Sequence, residues 1–270
     1  MTEEFFDKPA TNKAVMGTVV ALVIAALAAG IYWYGKGSSQ LQPTVAPPPA
    51  PPAPTAEARI EHPVPAAEPS KAPLPDLNDS DKAVGDALGE AAGGALKAYL
   101  VPESIIRHIV VTIDNLPRQK VAVDKRPVAP APGSFVANGD ELHATLDSRN
   151  FERYAPMVET FGKLDMQKLA AVYMRFYPLF QKAYQDLGYP NGYFNDRVVK
   201  VIDELLATPQ IAGPIDLVRP NVMYIFADQS LESRPAGQKL LLRMGPDNAA
   251  IVKSKLTELR AALTAAPPAH

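Results

Sequence analysis

Charge is absent from Ala14 to Tyr34, a run of 21 residues rich in Val, Leu, Ile and Ala. At ~1.5 Å rise per residue, a helix of that length covers the ~30 Å hydrocarbon core of a bilayer. The run closes on Tyr32, Trp33 and Tyr34, rings that suit a membrane–water interface. Residues 1–13 carry Glu3, Glu4 and Asp7 beside Lys8 and Lys13, so they lack the basic start of a cleaved leader. Ala26-Leu27-Ala28 keeps a cleavage site open as the competing reading. The pattern predicts a short cytoplasmic tail (1–13) and an uncleaved single-span transmembrane helix (14–34). Lys8 and Lys13, against Lys36 alone on the other flank, orient the N-terminus to the cytoplasm.

Across residues 35–75 large apolar residues thin out, and Pro and Ala take over from Gln40 to Pro75. Such a segment buries too little surface to offset its ordering entropy. Proline also restricts its own φ and the residue before it. The expectation is a disordered spacer biased to polyproline II, with an upper reach of roughly 110 Å at ~3.1 Å per residue. A ligand for an aromatic groove is the alternative use of such a segment.

Helical periodicity then governs residues 76–264, read as one globular, mainly α domain, with 265–270 as a disordered tail. Asp79 or Ser80 suits the cap of a first helix to about Leu100, weakened by Gly85, Gly89, Gly93 and Gly94. Ile105, Ile106, Ile109, Val110, Ile113 and Leu116 recur at helical spacing, and Pro117 closes the run. Their β-branching keeps a strand open. Phe135–Ala137 and Leu142–Ala144 flank Asn138-Gly139-Asp140, which predicts at most a short β-hairpin. Helices follow over about 150–161, from the cap Asp165 to about Leu187, and from the cap Asn195 to Leu206. Leu217–Ala227, interrupted by Pro220, reads as a short extended segment. Pro235–Met244 and Pro246–Ala262 complete the set, separated by Gly245.

Composition narrows the chemistry. No cysteine is present, which excludes disulfides and thiolate catalysis or ligation. A net charge of −2 lacks the basic footprint of a nucleic-acid binder. Only His62, His108, His143 and His270 occur, and no metal site is expected. Phosphate-loop, dinucleotide and G-x-S-x-G patterns are missing, so no cofactor and no catalytic residue is assigned. Twelve of the 28 prolines lie between Pro43 and Pro75; Pro178 instead falls inside a predicted helix.

The strongest constellation is aromatic. Tyr173, Phe176, Tyr177, Phe180 and Tyr184 share one helix face, and Tyr189, Tyr193 and Phe194 follow. Two readings stand: a groove that stacks on sugars or takes a peptide, and a packed core. Pro178 removes an amide from this helix and marks a structural kink. Arg153 and Arg175 lie near the stripe in sequence, and their planar forks suit carboxylate or phosphate. Lys239 and Arg243, at i and i+4, repel each other and call for an acidic neighbour. Asp114, Asp228 and Glu232 are the internal candidates, and an anionic ligand is the external one. The candidate binding residues are therefore Tyr173, Arg175, Tyr177, Tyr184, Tyr189, Arg153, Lys239 and Arg243.

Several strings carry a resemblance when taken together. They are VTIDNL (111–116), LDSRNFERY (146–154), YPLFQKAYQDLGYP (177–190), LLATP (205–209) and GQKLLLRMG (237–245). The chain resembles the proteobacterial family called domain of unknown function 3014, over about residues 76–262. The resemblance implies a single-span envelope protein and transfers no catalytic residue. The functional expectation is a non-enzymatic binding or scaffold protein, anchored in the bacterial inner membrane with its domain in the periplasm. Its partners would be the membrane, an envelope protein or peptidoglycan, and no nucleic acid. A tethered hydrolase or transferase acting on envelope polymers is the rival expectation.

Overall fold

The computed structural model of the chain describes residues 59–64, 73–96, 99–140 and 143–265. The predicted tail 1–13, the predicted transmembrane helix 14–34 and the last five residues lie outside them. No helix among the described residues is long and apolar enough to cross a membrane.

Helix α1 spans Asp81–Ala91 and stops well before Leu100. Gly93 and Gly94 take φ of 53° and 81°, a left-handed turn that side chains resist and glycine allows. Ser80 does not cap this helix; its hydroxyl donates to the Leu77 carbonyl. Asp81 instead caps the next one. Its carboxylate accepts the Ser104 and Ile105 amides at 2.7 and 2.8 Å, satisfying donors at the start of α2, Ile105–Asn115. The β-branched run is therefore a helix, with Ile105, Ile106, Ile109, Val110 and Ile113 buried on it.

A hairpin follows from β1 (Ala137–Asn138) to β2 (Ala144–Leu146), turning through Gly139 at φ 99°. Helix α3 spans Arg149–Gly162. Helix α4, Met166–Asp186, begins at Asp165, whose carboxylate accepts the Gln167 and Lys168 amides. It runs through Pro178 and ends before Gly188, at φ 115°. Helix α5 is Phe194–Leu206.

The expectation of at most one hairpin is too small. Strands β3 (Asp216–Val218) and β4 (Ile225–Phe226) extend it into a four-stranded antiparallel sheet in the order β1-β2-β3-β4. The join is long-range: Ala144 pairs with Leu217 and Thr145 with Asp216. Strands of two or three residues carry no readable alternation, so only the tertiary pairing defines them. Helices α6 (Gln229–Glu232), α7 (Ala236–Arg243) and α8 (Pro246–Thr264) close the chain.

Two apolar clusters hold the fold. The larger one lies among α1 to α5, α7 and α8, with Ile109, Ile113, Phe176 and Phe194 fully enclosed. The smaller one lies under the sheet and joins Leu146, Leu217 and Phe226 to Leu231 of α6 and Leu242 of α7. Helix α8 packs on α3, α4, α5 and α7, which makes it the central strut. Among the close approaches that demand glycine, two lie at the ends of α7. A Cβ on Gly237 would lie 2.7 Å from Leu205, and one on Gly245 would lie 2.5 Å from the Phe151 ring.

Residues 59–64 depart from the expected spacer. Although they sit within the stretch 35–75, they are held against the first turn of α5 by hydrogen bonds to the protein body.

Candidate functional site

The aromatic stripe of α4 turns inward. Tyr173 is 2% exposed, and Phe176, Phe180 and Tyr184 are buried with it. Tyr173 sits edge-on to Tyr177 at 5.6 Å, and Phe180 stacks on Phe194 at 6.0 Å. This is the packed-core reading, so Tyr173 does not present a ligand face. Its hydroxyl donates to Asn195 Oδ1 at 3.2 Å, and burial pushes its pKa well up. Pro178 is exposed on the outer side of α4.

The outer rings of the stretch do reach the surface. Tyr177 is half-buried, 5.5 Å from the Tyr193 ring. Burial, then the neighbouring Tyr193 hydroxyl, raises the Tyr177 pKa. Tyr184 stacks on Tyr189 at 4.5 Å and contributes its edge to the wall of an open groove of about 710 Å³. Tyr193, Arg197, Lys200, Asp203 and Glu204 line the rest, together with Arg59, Glu61 and His62.

The groove wall holds residues 61–64 of this chain by their backbone, which bends at Glu61 and His62. The Asp196 carboxylate accepts the Glu61 amide at 3.2 Å and the His62 amide at 2.7 Å. The Tyr193 hydroxyl accepts the Val64 amide at 2.8 Å. Asn195 Nδ2 donates to the His62 carbonyl at 2.9 Å. Tyr193, Asn195 and Asp196 thus bond four backbone groups of the segment, contacts that do not depend on its side chains. Of the segment's apolar side chains, Val64 packs against the larger core and Ile60 stays 48% exposed.

The wall is built rigidly. Gln181 of α4 donates to the Gly192 carbonyl at 2.7 Å and accepts the Phe194 amide at 2.8 Å, fixing the turn that presents Tyr193. Asn195 is fully buried and is not the helix cap that its position suggested. The helix starts two residues earlier than expected, with Tyr193 at the cap position, and the Asn195 amide is divided between the His62 and Leu263 carbonyls. Beneath the groove, buried Asp114 accepts Arg197 on Oδ1 at 3.0 Å, and on Oδ2 it accepts both Tyr189, at 3.2 Å, and Arg118. Arg197 also donates to the Asp114 carbonyl at 2.7 Å. Tyr189 is therefore a strut between the stacked ring of Tyr184 and this charge network.

The remaining sequence candidates lie elsewhere. Arg153 donates to the Pro132 and Gly133 carbonyls and to Asn150, so it pins the loop before β1. Arg175 is exposed and lies over the Phe176 ring at 5.1 Å. Lys239 is buried and meets Glu232 Oε1 at 2.7 Å, and Glu232 Oε2 accepts the Phe226 amide at 3.0 Å. Arg243 lies over the Phe226 ring at 4.9 Å. The basic pair thus has internal neighbours and serves to clamp β4 to α6 and α7. Gln181, Tyr193, Asp196 and the segment 59–64 were missed. Asn195-Asp196 at a helix start was the available signal, but it reads as capping and gives no hint of what lies opposite.

These observations define a mainly helical domain with a small antiparallel sheet and a backbone-reading groove at one helix start. The family model described as protein of unknown function (DUF3014) matches residues 105–260, and the chain belongs to that family. The match begins at α2, so α1 and the held segment 59–64 fall outside it. No curated protein matches the chain, and no solved structure does.

Proposed function

We propose that the protein is a non-enzymatic binding module of the bacterial envelope. It is anchored in the inner membrane by residues 14–34, with its helical domain in the periplasm. The domain holds an extended segment of a partner protein in the groove at the start of α5. One observation carries the reading: the groove wall already grips a backbone, that of residues 61–64, through Tyr193, Asn195 and Asp196. The groove carboxylates with resolved bonds are also committed. Asp196 is spent on amides, and Asp203 is paired with Arg260. A polar rim and rigid aromatic supports suit recognition.

The chain's own segment then acts as a competitor. Tethered segments reach effective concentrations on the order of mM, so a partner must outbid it. The test is a photo-cross-linking amino acid at Lys200, on the exposed wall, in intact cells. A protein adduct that grows when residues 59–64 are replaced by Gly and Ser, and shrinks about tenfold with Asp196→Ala, supports the proposal. Adducts insensitive to both changes overturn it. Adducts to glycan strands alone redirect the module to cell-wall material.

A further inference from the structure

A second cavity lies on a different face, where the sheet meets the helical body. It measures about 220 Å³ and opens between the segment 208–215, α7 and the start of α8. Phe151, Ile211, Ile215, Leu241 and Ala249 make it apolar. Lys253 is its one charged lining residue, and no Asp or Glu lines it. The lysine ammonium donates to the Thr208 carbonyl, its hydrogen-bond partner among the described residues. An ammonium carries three donors, so two remain to be used.

We propose that this cleft binds a small organic carboxylate with an apolar body, the carboxylate on Lys253 and the body against Phe151, Ile211 and Leu241. Among the described residues the charge has no carboxylate in a salt bridge with it. Burial lowers the Lys253 pKa, and no neighbouring carboxylate offsets that burial. A ligand anion would supply the missing partner in a charge-assisted bond. Ser148 and Gln210 also line the cleft and carry hydroxyl and amide donors for the second carboxylate oxygen. Size sets the class further. An apolar cavity of about 150 Å³ takes benzene, and drug-sized sites begin near 300 Å³. A volume of about 220 Å³ fits one ring, or a short alkyl chain, with a small appendage. The inference is independent of the groove at α5, which shares no residue with this cleft.

The test is calorimetric titration of the full chain in nanodiscs with 3-phenylpropionate, and with its neutral amide as control. Expected is saturable binding of the acid, at least about tenfold weaker for the amide and for Lys253→Met, and retained in Lys253→Arg. Ala250→Leu, at the exposed rim, should block binding without changing the melting temperature. Asp196→Ala, in the groove, should leave the titration unchanged. Failure of the wild-type chain to saturate by roughly 10 mM overturns the proposal. Equal affinity for acid and amide, or for wild type and both Lys253→Met and Ala250→Leu, also overturns it.

Discussion

Lys239 is an interior cation because Glu232 meets it there. Both side chains are nearly out of contact with water, and each also serves the backbone. Lys239 donates to the Glu232 carbonyl, and Glu232 accepts the Phe226 amide. Removing one partner strands a buried charge, which typically costs about 3–5 kcal/mol. Glu232→Ala should therefore lower stability by that order in urea melts. The double change Glu232→Leu with Lys239→Met should recover most of the loss, because apolar replacement removes the charge as well as its partner. A single mutant as stable as wild type would show that the pair contributes nothing. Gly245 is the second sensitive position. Its φ of 87° and the Phe151 ring leave no room for a Cβ. Gly245→Ala should cost about 2 kcal/mol or more, from left-handed strain and overpacking together. Thermal unfolding reads this directly.

At the scale of elements, Asp81 shows how one helix can start another. It belongs to the first turn of α1, yet its carboxylate accepts two amides at the start of α2. Asp81→Ala should cost about 1 kcal/mol, in line with other lost caps, and hydrogen exchange should speed up first at Ser104 and Ile105. Sequence reasoning read the long helices well where apolar spacing and end signals agreed. The α4 start at Asp165 and stop at Gly188 are local facts of chain chemistry, and so is the Gly245-Pro246 break between α7 and α8. The extended segment Leu217–Ala227 was legible and holds most of β3 and all of β4, but its joining to the hairpin was not, because β2 and β3 pair across most of the domain and each is three residues long. The aromatic stripe was legible as one face of α4 but not as core or groove. That choice depended on Phe194 and α8 arriving to cover it. Asp196 looked like an ordinary residue in a helix's first turn, and its role needed a segment 135 positions away in the chain.

For the whole molecule, the proposed design joins an anchor, a spacer and a domain, and function depends on reach. Shortening residues 41–58 to about five, with 59–64 kept in place, should abolish the groove cross-link in cells, because the spacer would no longer span the required distance. An undiminished cross-link in that deletion would remove reach from the account. The clasp on residues 61–64 adds a mechanical consequence. Any pull between membrane and domain would enter the domain through residues 59–64, so tension would load the Asp196, Asn195 and Tyr193 hydrogen bonds before it reached the helices. Those bonds are few and the apolar support behind them is mainly Val64, so they should yield first. Single-molecule stretching of the chain should show an early, low-force step that vanishes in Asp196→Ala, ahead of the main rupture. A contact that sets the occupancy of the groove would then also be the fuse of the tether, opening the groove to a partner at the moment the envelope is strained.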